Sequence, residues 1–175
     1  MASKPVSQIT GSRTIRFKLN GRWVKARVHP ANTLLRMLRD SFELTGSKPG
    51  CEAGECGSCT VLLDGLPVTS CMVLAGQVDG RDVTTVEGLS KPRLDPIITS
   101  LVEEGAVQCG YCIPGFVVAA RGLLRSTRNP TRQEIRSGLS GNICRCGGYS
   151  MIAKAVMKAS RRSSTGGHKH SRLTR

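Results

Sequence analysis

Eight cysteines constrain this 175-residue chain more than any other feature, because they fall into two groups of four: Cys51, Cys56, Cys59 and Cys71, then Cys109, Cys112, Cys144 and Cys146. Four thiolates are what one tetrahedral ion or one small cluster takes up, so the grouping points to two metal centres. The redox compartment decides between metal and disulfide. Met1 to Ser12 is polar and lacks the apolar run of a secretory signal, and no stretch approaches the roughly 18 apolar residues of a membrane span. A cytoplasmic location without a transmembrane segment is therefore expected, compatible with a peripheral place on the inner face of the membrane. In a reducing cytosol clustered thiols read as metal ligands before they read as disulfides. The chain is long enough for one ordinary domain or two small ones. Aromatic residues make up only 3% of it, so something besides a thick apolar core must hold it together.

The formal charge of +14 raises the question of nucleic acid. Basic residues are spread along the whole chain, with a concentration from Arg161 to Arg175. A protein that grips single strands interleaves such charge with stacking aromatics, and one Trp, two Tyr and three Phe offer almost none. No nucleic-acid partner is expected. The charge reads as solvated surface together with a face complementary to an acidic partner subunit.

The first half has the texture of a sheet. Ile15, Phe17 and Leu19 alternate with Arg16 and Lys18, Asn20-Gly21 supplies a tight turn, and Val24, Ala26 and Val28 resume the alternation. Thr33 is a plausible N-cap for a short helix with Leu34, Leu35 and Leu38, which gives out near Ser41. A glycine-rich loop leads into a second hairpin, Thr60 to Leu63 and Val68 to Cys71 about the turn Asp64-Gly65, and Asp82 to Val86 is expected as a last strand. After Gly88 the period becomes helical, placing a domain boundary between Gly88 and Arg93. Asp95-Pro96 caps a helix running to about Glu104, and Pro114 opens a second that Asn129-Pro130 stops. Thr131 with Glu134 forms a capping box for a third, and Tyr149 to about Ser160 makes a fourth. The predicted organisation is a flexible N-terminus at 1–12, a sheet domain at 13–88, a four-helix bundle at 89–160 and a basic disordered tail at 161–175.

Cys51, Cys56 and Cys59 stand as C-x4-C-x2-C with Cys71 further on, the plant-type [2Fe-2S] spacing. Gly50, Ala53, Gly54, Gly57 and Ser58 make a loop of small residues that leaves backbone N–H groups free to face sulfur. Zinc usually takes two C-x2-C knuckles or mixes Cys with His, and no His lies between Cys51 and Cys71. Iron–sulfur is the reading for this group. The second group pairs Cys109 and Cys112 in Q-C-G-Y-C-I-P-G with Cys144 and Cys146 in G-N-I-C-R-C-G-G-Y. Both pairs sit at predicted helix starts, where unpaired N–H groups and the positive dipole end favour an anion. By spacing alone, C-x2-C with C-x-C suits zinc as well as a cluster.

With these strings in order, residues 13 to 160 resemble the two-cluster iron–sulfur subunit, or N-terminal region, of the xanthine oxidase family of molybdenum hydroxylases, which includes carbon monoxide dehydrogenases, aldehyde oxidoreductases and N-heterocycle hydroxylases. The resemblance implies an α+β chain, a ferredoxin-like β-grasp domain followed by the small four-helix bundle. It assigns Cys51, Cys56, Cys59 and Cys71 to an outer [2Fe-2S] cluster facing a flavin, and Cys109, Cys112, Cys144 and Cys146 to an inner one near a pterin. It also makes Gln108 and Cys146 candidates to contact the molybdopterin cofactor. Ile113 stands where a Thr often precedes the Pro-Gly, and Gly147 where a Thr often follows the last Cys; these departures touch hydrogen bonding that tunes the inner centre and not its ligands.

The function implied is electron relay from molybdopterin on a large subunit, through two [2Fe-2S] clusters, to FAD on a medium subunit, in a dimer of heterotrimers. No catalytic residue is expected in this chain, and His29, His168 and His170 have no convincing partners in sequence. Two rival readings remain: a free-standing two-cluster electron carrier, and a zinc-stabilised nucleic-acid module. Visible colour, and co-purification with two larger chains, separate the three.

Overall fold

The structure, a computed structural model, describes residues 11–165. Nearly all of the 1–12 segment, the end of the 161–175 tail, and His168 and His170 lie outside the described residues. Strand β1 (Arg13–Leu19) pairs antiparallel with β2 (Arg22–Val28), with Ile15 facing Ala26 and Phe17 facing Val24. The turn between them needs two left-handed residues, and Asn20 (φ 49°) and Gly21 (φ 84°) provide them. Strand β5 (Asp82–Thr84) runs parallel to β1 and antiparallel to β3 (Thr60–Leu63), which pairs with β4 (Leu66–Thr69) through Asp64-Gly65. The sheet order is β2-β1-β5-β3-β4. Two expected strand ends are shorter: Cys71 lies in a 3₁₀ turn, Ser70–Met72, and Val86 opens a short helix, α2 (Val86–Leu89).

One face of the sheet buries Ile15, Phe17, Leu19, Val28, Val61, Leu63 and Val83 against a helical segment and the 3₁₀ turn Ala75–Val78. That segment begins as α1 (Leu34–Arg36) and continues as a π-helical turn, Met37–Ser41. Thr33 caps it, its hydroxyl accepting from the Arg36 N–H at 3.3 Å. Every residue of β3 is buried, because its other face lies under the helical half. Gly122 lets helix α4 (Ile113–Ser126) approach: a Cβ there would meet Pro67 Cδ at 2.9 Å and Leu62 Cδ2 at 3.4 Å.

The second core belongs to helices α3 (Pro96–Glu103), α4, α5 (Arg132–Gly138) and α6 (Tyr149–Thr165), and holds Ile97, Leu101, Phe116, Val117, Ile135, Ile152 and Val156. The caps are those the sequence announces. Asp95 accepts from the Ile97 N–H at 2.9 Å, and Thr131 and Glu134 exchange bonds at 3.2 and 2.6 Å. Asp95 also pairs with Arg121 of α4, which fixes α3 on α4. The basic tail expected from Arg161 is corrected at its start, since 161–165 still belong to α6. Carboxylates at the end of α3 give that extension its charge partners: Glu103 holds Arg162 at 2.8 Å and Lys158 at 3.1 Å, and Glu104 holds Lys158 at 2.7 Å. Among the described residues no helix is long and apolar enough to cross a membrane.

Candidate metal centres

The loop between the helical segment and β3 carries three of the first four cysteines. It turns on left-handed residues at Glu52 (φ 50°), Gly54 (φ 81°) and Gly57 (φ 69°), a conformation that aims consecutive N–H groups inward. Cys51 Sγ accepts from the N–H groups of Ala53 at 3.3 Å and of Glu55 and Cys56 at 3.4 Å each. Those bonds favour the thiolate and bring Cys51 down from 9.0 to about 7. The Cys51 N–H in turn donates to Cys56 Sγ at 3.4 Å. Gly50 leaves room for that sulfur, since a Cβ on it would lie 2.6 Å away. Cys59 and Cys71 are buried together beside Leu35. Burial, and then the proton shared with Cys59, push Cys71 up to about 11.

The second group repeats this plan. Cys112 is the N-cap of α4, and Cys144 and Cys146 lie in the loop that enters α6. All four cysteines line one small cavity, with Gln108 and Gly148 also on its wall. Cys112 and Cys144 are buried, while Cys109 and Cys146 are on the exposed side. Burial pushes Cys112 up to about 12, helped by its hydrogen bond with Cys144. Burial pushes Cys144 the same way, but the N–H of Gly148, the bond with Cys112, and the N–H groups of Cys146 and Gly147 together bring it below its ordinary value. Helix α6 steadies this loop through Tyr149, whose hydroxyl accepts the Cys144 N–H at 2.9 Å and whose ring meets Phe116 edge-on at 6.4 Å.

Whether these residues fit iron–sulfur clusters can be tested on the arrangement of the thiols. Among the described residues no three His, Cys, Asp or Glu side chains converge as on a single ion. Six of the eight thiols come together in twos: Cys51 with Cys56, Cys59 with Cys71, and Cys112 with Cys144. A dinuclear cluster takes two thiolates at each metal, and inward N–H groups stabilise its sulfur. The donor set fits.

The two loops touch. Ile143 N–H donates to the Cys56 carbonyl at 3.0 Å, Asn142 Nδ2 to the Gly57 carbonyl at 2.9 Å, and the Tyr111 hydroxyl to the Pro49 carbonyl at 2.5 Å. Asn142 and Tyr111 are contact residues between the two loops that sequence reasoning did not single out. Their only signal is position, Tyr111 between two cysteines and Asn142 two residues before a third. His29 stays outside both centres, its Nδ1 accepting from the Ala31 N–H at 3.2 Å in a local turn.

Two family models match the chain, a 2Fe-2S iron–sulfur cluster binding domain over residues 17–90 and a [2Fe-2S] binding domain over residues 85–157. The chain is 42% identical over 156 residues to a probable xanthine dehydrogenase subunit of Bacillus subtilis, covering 89% of this chain and 90% of the relative. It is 46% identical over 145 residues to the nicotine 6-hydroxylase small subunit of Paenarthrobacter nicotinovorans, covering 83% and 88%. Among solved structures, a chain of quinoline 2-oxidoreductase from Pseudomonas putida 86 superposes with a TM-score of 0.84 at 40% identity, over 89% of this chain and 98% of that one.

Proposed function

Because this chain belongs to the small [2Fe-2S] iron–sulfur subunits of the xanthine oxidase family of molybdenum hydroxylases, we propose that it is the electron-relay subunit between molybdopterin on a large subunit and FAD on a medium subunit. The observation that carries this reading is the pair of cysteine cradles, each with two buried thiols and two nearer the surface, joined by direct hydrogen bonds between their loops. When bound, two [2Fe-2S] clusters supply one-electron oxidation and reduction.

The chain's own part is to hold, insulate and orient. Cys51, Cys56, Cys59 and Cys71 would take the outer cluster, and Cys109, Cys112, Cys144 and Cys146 the inner one. The inward N–H groups favour thiolates at both places, and the buried pairs keep water from one side of each centre. Gln108 and Cys146, both exposed and on the wall of the second cavity, would contact the molybdopterin of the partner. No side chain of this subunit needs to act on substrate.

We read the two halves as a ferredoxin-like β-grasp domain at 13–88 and a four-helix bundle at 89–160. The mixed sheet crossed by one helical segment supports the first, and the mutual packing of α3, α4, α5 and α6 the second. The assembly is read as a dimer of heterotrimers in the cytoplasm, and relatives whose names call them subunits of hydroxylase and dehydrogenase enzymes support the partner chains.

Anaerobic purification of the native complex tests this. Iron and acid-labile sulfide in this chain, two distinct signals from the reduced protein, and two larger chains bearing flavin and molybdenum are expected. A colourless protein with bound zinc would overturn the proposal. Two clusters in a chain that purifies alone would replace it by a free-standing carrier.

A further inference from the structure

Asn142 is only 6% exposed, yet it is a polar side chain at the seam between the two cysteine loops. Its backbone N–H donates to Leu139 at the end of α5 at 3.0 Å, which anchors it to the helical half. Its Nδ2 reaches across to the Gly57 carbonyl at 2.9 Å, an oxygen that also accepts from the Thr60 N–H at 3.1 Å and the Thr60 hydroxyl at 2.6 Å. A burial of this kind is retained at a cost unless the hydrogen bond is made.

Glycines clear the space on both sides. A Cβ on Gly57 would lie 2.5 Å from Asn142 Nδ2, and one on Gly115 would lie 2.9 Å from it while overlapping the Gly57 carbonyl oxygen. Gly57 follows Cys56, Gly115 is three residues past Cys112, and Asn142 is two before Cys144. Surroundings of three cysteines, from both groups, therefore meet at one amide. We infer that Asn142 is the positioning residue that sets the separation of the two cradles. The inference rests on the reading above that each cradle holds a cluster.

The separation can be read as the magnetic interaction between the two clusters in the fully reduced complex, seen as splitting and faster relaxation of their paramagnetic signals. Asn142→Asp keeps the shape and replaces the donor by a carboxylate that repels the Gly57 carbonyl. Gly115→Ala drives a Cβ into the Gly57 carbonyl oxygen and Asn142 Nδ2, wedging the same seam from α4 while changing neither Asn142 nor any cysteine. It perturbs the seam from the other side, so it keeps the test open if the first variant does not accumulate.

Both variants are expected to narrow the split lines while each cluster keeps its own g-values and the iron content stays at the wild-type level. Split lines unmoved by both substitutions would overturn the inference alone. Wild-type protein lacking two cluster signals would overturn it together with the reading it rests on.

Discussion

Gly50→Ala tests whether the first cradle is shaped by the space that its glycines leave. Gly50 precedes Cys51, and its φ lies outside the left-handed region, so alanine is conformationally admissible. The new Cβ meets Cys56 Sγ at 2.6 Å, with Ser58 Oγ at 3.6 Å behind it. To reach the usual 3.5–4.0 Å, the sulfur must retreat by about 1 Å. It would leave the Cys51 N–H that now bonds it at 3.4 Å. Overpacking of this kind costs about 1–3 kcal/mol, and alanine recovers about 0.4–1 kcal/mol by restricting the unfolded chain. The net loss is about 1–2 kcal/mol, a factor of about 5–30 in the folded-to-unfolded ratio. In urea unfolding the midpoint should fall accordingly, and the reduced protein should lose or broaden the outer signal while the inner one is unchanged. Gly141→Ala, where a Cβ meets nothing within 4 Å, is the matched control. Full iron content with an unaltered outer signal and an unmoved midpoint in Gly50→Ala would refute the reasoning.

Leu62→Ala should destabilise the chain by about 2–5 kcal/mol, measured by urea unfolding, because this 1%-exposed side chain of β3 fills the joint with α4. Asp95→Ala removes the α3 cap and leaves Arg121 without its partner, so a loss of about 2–4 kcal/mol is expected after discounting for partial exposure; Asp95→Asn, which still caps, should lose less, and thermal melts of the two variants decide it. In cluster-free protein, alkylation mapped by mass spectrometry should mark Cys51 first as pH rises through about 7, with Cys71 and Cys112, at about 11 and 12, lagging until the chain is denatured. The sign for stability follows from the same value: a thiol lowered from 9.0 to about 7 contributes fully above its ordinary value, and that contribution fades as pH falls through about 7. Gln108→Ala should leave both cluster signals intact and slow reduction of the inner centre by substrate, measured by stopped-flow on the complex.

Local signals carried most of the fold. Asn20-Gly21 and Asp64-Gly65 are legible as hairpin turns because few other residue pairs accept two consecutive left-handed conformations, and both pairs adopt them. The same holds for the helix starts: Thr33, Asp95 and Thr131 each accept the bond their position announces. What escaped was set by partners distant in sequence. Period-2 reading expects a strand half buried, and β3 is buried throughout because α4, about 50 residues later, covers its second face. The length of α6 depends on Glu103 and Glu104, which no local pattern around Arg162 reveals. The cysteines were legible because spacing within each loop is local chemistry. Asn142 was not, since its partner Gly57 lies 85 residues away and an Asn in a polar loop reads as solvated.

That difference bears on how so small an aromatic content can suffice. Each half has its own apolar cluster, but the first cradle is not complete within its own half's packing. The first loop is closed over by Asn142, Ile143 and Tyr111 of the second, and all three donate to carbonyls of residues 49, 56 and 57. A loop rich in glycine loses much conformational freedom on ordering, so these donors and the thiolate ligands must act together to hold it. Each loop supplies its own N–H donors to sulfur, Ala53, Glu55 and Cys56 at Cys51 and Cys146, Gly147 and Gly148 at Cys144. Only the first loop is held by donors from the other half, so loading of the outer cradle should depend on an intact helical half. The coupling runs one way: damage to α4 or α5 reaches both centres, and damage confined to the β1–β2 hairpin reaches neither seam donor.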